Sequence, residues 1–274
     1  MPAIKETVLT ASGMSFVRKL FTKSRRLEGG RHKKSEPTVE SVEKINQRNS
    51  LREMTIKVHH NFKPKDHFLT LTYEGDAPTK EYAKKALKAY IDQIRRKRKK
   101  AGQEFKWLAI TEYENKRIHH HMIVNNVEDY SDLTSLWKNG LVRATPMEDK
   151  GDWRKLCEYM HKETTKTFRD PDAPCRLRYS CSRNLVMPPV YREEISAAEF
   201  FEEPEAEKGY HIDQDSVFRG ENPFTGMPYI EYVMIPLDKP RTRYYKKQKV
   251  KYKTEKYDGW LRTRERQLEM DYPF

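Results

Sequence analysis

Two neighbouring stretches constrain the fold of this chain more than any other feature. "FKWLAITE" (105–112) and "RIHHHMIV" (117–124) are short and rich in β-branched and aromatic residues, and only the polar "YENK" separates them. That pattern predicts a β-hairpin. Upstream, "HFLTLTY" (67–73) alternates and is stopped by "EGDAPT", which predicts a further strand. Between these strands Ala83, Ala86, Leu87, Tyr90, Ile91 and Ile94 recur at i, i+3, i+4 and i+7. The spacing predicts a helix over 79–101, capped by Thr79 or Asp76 and ended by Gly102. Its last turns, "RRKRKK", suit the negative end of the helix dipole.

The flanks extend the plan. Residues 39–58 show helical spacing at Val42, Ile45 and Ile56. Beyond the hairpin, the pattern predicts a short helix around Asp129–Lys138, a strand around Leu141–Ala144, a helix over 152–166 and a strand over 176–185. The order β, α, β, β, α, β, α, β points to an α+β fold with helices against an antiparallel sheet. Residues 1–38 read as a basic, flexible tail, or as an interfacial helix around Phe16–Phe21. From about Pro188 the character changes. Residues 191–274 read as an extension in which "YHIDQDSVF" and "YIEYVMI" form a hairpin, followed by a tail (239–256) with nine Lys or Arg, one Glu and three Tyr.

Composition bears on partners. A formal net charge of +13, with basic residues gathered at both ends, favours nucleic acid over a merely solvated surface. Three cysteines without a CxxC pair argue against a disulfide framework and a zinc knuckle. No apolar run is long enough for a membrane span, and a reducing cytoplasm is the expected location.

On a strand, alternate side chains share a face. His119 and His121 then lie together with Ile123, while His120 joins Ile118, Met122 and Val124 on the other face. Imidazoles two residues apart can converge on one ion, although a solvated pair satisfies the same pattern. Glu112 ends the neighbouring strand and is brought beside His119 by the hairpin. Glu114 competes for the same role. Two histidines and a carboxylate suit Mg²⁺ or Mn²⁺ acting on a phosphate, and also permit Zn²⁺ or Fe²⁺. On the helix 152–166, Trp153, Leu156, Cys157 and Met160 make the apolar stripe. Lys155, Tyr159, Lys162 and Lys166 form a separate row, so Tyr159 is not an ordinary core tyrosine. It reads as a nucleophile for a phosphodiester, with Lys162 favouring the phenolate, or as a snorkelling surface tyrosine.

Together these residues resemble the rolling-circle replication initiators of the HUH endonuclease superfamily, of the bacterial plasmid and phage type. "FLTLTY" is similar to the first family motif, "RIHHHMIV" to the His-hydrophobe-His motif, and "YMHK" (159–162) to the Tyr-x-x-Lys motif. The resemblance covers about residues 45–190. It implies a five-stranded antiparallel sheet with flanking helices over a domain at 39–190. It further implies Mg²⁺- or Mn²⁺-dependent nicking and joining of single-stranded or extruded origin DNA. His119, His121 and Glu112 would hold the metal, Tyr159 would be the nucleophile and Lys162 its assistant. Lys155, Lys166, Arg183, Lys246 and Lys247 are the expected DNA contacts. No Walker A sequence occurs, so a host helicase is expected to unwind the template. A relaxase or transposase of the same superfamily fits the motifs equally. A non-catalytic nucleic-acid-binding sheet would instead need exposed stacking aromatics where His119, His121 and Glu112 stand. An aliphatic residue is expected to serve in place of His120, and His121→Ala to abolish nicking.

Overall fold

The computed structural model describes residues 3–21, 40–113, 117–126, 131–148, 151–167, 178–222 and 226–237. The chain divides after Pro240, and everything beyond that point, including Lys246 and Lys247, lies outside the described residues. In chain order the strands and helices are β1 (Ala3–Leu9), β2 (Ser15–Phe21), α1 (Glu40–Asn61), β3 (His67–Thr72) and α2 (Lys80–Lys100). There follow β4 (Trp107–Glu112), β5 (His119–Val124), α3 (Ser131–Ser135), β6 (Val142–Pro146) and α4 (Arg154–Thr167). The last are β7 (Ser180–Cys181), β8 (Tyr191–Ile195), α5 (Ala197–Phe201), β9 (Tyr210–Ile212), β10 (Phe218–Glu221) and β11 (Pro228–Pro236). The fold is α+β, with all strands antiparallel in two sheets.

The five-stranded sheet has the order β6-β3-β5-β4-β7. Its central strands β3, β4 and β5 carry apolar residues on both faces because helices pack on both. On one face Leu69, Leu71, Ala109, Met122 and Val124 meet Ala83, Leu87, Tyr90, Ile91 and Ile94 of α2. The helix starts as its sequence predicts: Thr79 accepts a hydrogen bond from the Tyr82 amide, and Gly102, at φ 67°, takes the left-handed position after the end. On the other face Phe68, Leu108, Ile110 and Ile123 meet Met54 and Val58 of α1 and Trp153, Cys157 and Met160 of α4. The apolar stripe of α4 is thus the one its spacing predicts. Tyr159 and Leu156 flank it, half-buried.

Two stretches differ from expectation. The strand foreseen over 176–185 is only Ser180–Cys181 within the described residues, paired to Leu108 and Ala109. The chain then turns at Arg183–Asn184, where the Asn184 side chain donates to the Phe105 carbonyl. The helix foreseen over 129–138 spans Ser131–Ser135.

The larger correction concerns the ends of the chain. Residues 3–21 are neither a flexible tail nor a helix. They form the β1–β2 hairpin at the centre of a six-stranded sheet of order β10-β11-β2-β1-β8, with β9 also on β11. Its basic residues are used internally: Lys19 donates to the Glu199 carbonyl, and Arg18 donates to the carboxylate of Glu231 across the β2–β11 ladder. Residues 22–38 of the expected tail lie outside the described residues. The hairpin expected near the C-terminus exists as β10–β11. "YHIDQDSVF" is split by Asp213, which caps a single 3-10 turn and leaves β9 and β10 on either side. α1 packs on this sheet too, through Ile56 against Val8, Phe16 and Val233.

Candidate metal centre beside a tyrosine

Antiparallel register alone builds the centre. Glu112, the last residue of β4, stands opposite His119, the first of β5, and Ile110 stands opposite His121. Glu112, His119 and His121 therefore share a face, as the alternation predicts. One ligand atom from each lies within 4.8 Å of the others. Two donors at about 2.1 Å from one ion can be at most about 4.2 Å apart, so a small side-chain rotation would bring all three onto a single cation.

The protonation pattern fits that use. His119 Nδ1 lies 3.2 Å from the Arg117 carbonyl, which can only accept, so Nδ1 carries the proton. Nε2 is then turned to Glu112 Oε2 at 2.9 Å. A lone pair facing a carboxylate at that distance needs a proton or a metal cation between them, and this is the arrangement that second-sphere carbonyls impose on metal-binding histidines. His121 is buried, stacked on Phe68, and holds Thr70 Oγ1 at 3.3 Å from Nδ1. Burial, then the neighbouring His119 and His120, push its pKa down to about 3, so it is a neutral imidazole with a lone pair to give.

The tyrosine of α4 reaches this centre. Tyr159 Oη lies 3.2 Å from His121 Nε2, and the two rings meet edge to face at 5.3 Å. The apolar stripe of α4 fixes this approach: with Trp153, Cys157 and Met160 buried, the adjacent side of the helix faces His121. Lys162, one turn on, and Lys155, one turn before, are exposed. The side chain of Lys166 and the whole of Glu114 fall outside the described residues. Arg183 sits in the turn beside Trp107, at the opposite end of β4 from Glu112, so the structure does not bring it to the centre.

His120 corrects the expectation that an aliphatic would do in its place. It is on the other face, as predicted, and 0 % exposed, but both ring nitrogens are engaged. Nδ1 lies 2.7 Å from Thr111 Oγ1 and Nε2 lies 2.8 Å from Tyr73 Oη. His120→Leu removes both hydrogen bonds, although Tyr73 Oη keeps the Ala83 carbonyl and Thr111 is only half-buried, and is expected to lower stability by about 1–3 kcal/mol, measured by denaturant unfolding, while the Glu112–His119–His121 cluster persists. Burial, then His119, also hold the His120 pKa at about 3 against an ordinary 6.5. Between those values the unfolded chain takes a proton that the folded chain refuses. His120 is therefore expected to contribute a fall of about 1.4 kcal/mol in the stability of the metal-free protein for each pH unit below about 6.5, with His121 adding a like share, and His120→Leu to remove its own share of that slope.

The sequence offered no signal for the Arg117 carbonyl. Thr70 and Thr72 were visible only as the polar members of an alternating strand. His121→Ala is expected to weaken Mn²⁺ binding more than about 100-fold in a metal titration, since even outer-shell partners are worth 10- to 100-fold.

A five-stranded antiparallel sheet with helices on both faces, and a Glu-His-His cluster beside a helix-borne tyrosine, defines an α+β domain built around a candidate metal centre. Residues 66–168 match the Replication-associated protein ORF2/G2P family, consistent with the motif-based resemblance to a rolling-circle Rep. The match runs from just before β3 to the end of α4 and so contains the whole candidate centre. No curated protein matches the chain, and no solved structure does. Among the described residues, no helix is long and apolar enough to cross a membrane.

Proposed function

We propose that the protein is a rolling-circle replication initiator that nicks one DNA strand and rejoins it through a 5′-phosphotyrosine. The observation that carries this reading is the 3.2 Å approach of the Tyr159 hydroxyl to His121 Nε2, beside Glu112 and His119. A water nucleophile would need no tyrosine at that place.

Glu112, His119 and His121 would hold Mg²⁺ or Mn²⁺. When bound, the ion polarises a non-bridging phosphate oxygen and helps orient the scissile group. Tyr159 Oη forms a bond to phosphorus, and the bond from phosphorus to the 3′-oxygen breaks. The phenolic proton passes to solvent, and the leaving oxygen takes a proton from water to become a free 3′-OH. The number of phosphodiester bonds is unchanged, so an incoming 3′-OH can reverse the step and join strands. Lys162 lies one turn beyond Tyr159, where its charge favours the phenolate and the crowded pentavalent phosphate. Lys155 and Lys166 continue the same helical row along the approaching backbone. The substrate is single-stranded or extruded origin DNA, and unwinding falls to a host helicase.

The test is one gel. The full chain is incubated with single-stranded origin candidates and Mn²⁺. A protein–DNA adduct resistant to denaturation, mapping by mass spectrometry to Tyr159, is the expected result. No adduct on any candidate, or an adduct on another residue, would overturn the assignment.

A further inference from the structure

We propose that Arg143, on the edge strand β6, grips a phosphate flanking the scissile one, and that the β3–β6 half of the metal-triad face is the path of the single strand. The inference rests on the DNA-nicking reading of the centre and adds a binding residue that no sequence motif marks.

Two observations place Arg143. In the ladder register Arg143 stands opposite Thr70, and Thr70 opposite His121, so the three lie in one row across β6, β3 and β5. Independently, its neighbours Val142 and Ala144 pack into the core on the α2 side of the sheet. By alternation Arg143 and Thr145 turn to the face that carries Glu112, His119 and His121. At about 4.8 Å between strands, Arg143 lies about 10 Å from His121 along the row. A long side chain from there reaches toward the neighbouring phosphate rather than the reacting one.

The two halves of this face differ in chemistry. On the β4–β7 side it presents Leu108, Ile110 and Cys181, packed with α1 and α4. On the β3–β6 side Phe68 is packed likewise, but the face also presents Thr70, Thr72 and Thr145, all half-buried, and an exposed Arg143. Thr70 and Thr72 already bond His121 and the Leu141 carbonyl, so Arg143 is the group of this half that suits a phosphate. β6 is also an edge strand, and among the described residues no further strand lies beyond it. A guanidinium fork matches two phosphate oxygens at once. The competing role for an arginine on an edge strand is to deter strand-to-strand aggregation, and that role requires no contact with DNA.

The experiment measures affinity of the full chain for a fluorescent, mixed-sequence single-stranded oligonucleotide across a salt series. It compares wild type, Arg143→Ala and Lys88→Ala. Lys88 is an exposed cation of α2, whose buried side packs on the opposite face of the sheet. Arg143→Ala is expected to bind about tenfold more weakly at low salt, the loss of one charge-assisted contact. Its slope of log affinity against log salt should be shallower by about 0.7, one phosphate contact on a single strand. Lys88→Ala should match wild type, and thermal unfolding should show all three equally folded. An Arg143→Ala variant that binds like wild type, or no worse than Lys88→Ala, overturns the proposal and leaves the nicking reading untouched. Absence of any Tyr159 adduct, with the Arg143 effect intact, overturns the nicking reading and leaves this contact standing.

Discussion

Tyr159→Phe is expected to eliminate the protein–DNA adduct completely while changing oligonucleotide and Mn²⁺ affinity by less than about twofold. The asymmetry follows from position. The ring is half-buried against the core and its edge meets His121, contacts that phenylalanine keeps. Only the hydroxyl at 3.2 Å from His121 Nε2 is lost, and with it the single atom that can form the covalent link. The three candidate ligands are on β4 and β5 and are untouched. An adduct that survives in the variant would move the nucleophile elsewhere. Loss of Mn²⁺ affinity alongside loss of the adduct would make the hydroxyl part of the metal centre instead.

The second large effect is on stability. Glu231 is 7 % exposed and faces three arginines: Arg18 and Arg48 donate to its two carboxylate oxygens, and Arg52 lies at 3.9 Å. Burial alone would raise its pKa, but the charges and hydrogen bonds of Arg18 and Arg48 more than offset this and hold it below the usual range. Arg52 already feels the crowding: burial, then the neighbouring Arg18, lower its pKa to about 10. Glu231→Ala leaves three guanidinium groups together without their shared counter-charge. Breaking a buried ion pair from one side costs about 3–5 kcal/mol, and a loss of that size is expected in denaturant unfolding. Glu231→Met, which keeps bulk but not charge, should be similarly damaging, because the strain is electrostatic. A change below about 1 kcal/mol would mean that water screens the cluster as it does on a surface.

What the sequence disclosed and what it hid divide along a physical line. Periodicity revealed α2, the faces of β5 and the stripe of α4, because the repeat of each element alone decides which side chains share a face. The convergence of Glu112 with His119 was legible because a short loop leaves little freedom of register. The β1–β2 hairpin was not legible. Arg18 and Lys19 look like tail cations until Glu231 and the Glu199 carbonyl, some two hundred residues away in the chain, are placed beside them. His120 misled for a related reason: alternation gives the face of a residue but not the hydroxyls of Tyr73 and Thr111 that await it there.

The order β10-β11-β2-β1-β8 sets a timetable for the nascent chain. Among the described strands β1 and β2 come earliest in the chain, yet their outer edges are closed by β8 and β11, with Val17 paired to Tyr232. The family-matched segment, 66–168, can emerge and collapse around nearby partners. The hairpin's β1 edge meanwhile stays open until β8 is made, and its β2 edge until β11, when nearly the whole described chain has left the ribosome. Such non-local pairing forms slowly and is exposed to aggregation while it waits. Truncation before β11 would therefore leave the early strand β2, rather than the new end, as the sticky part.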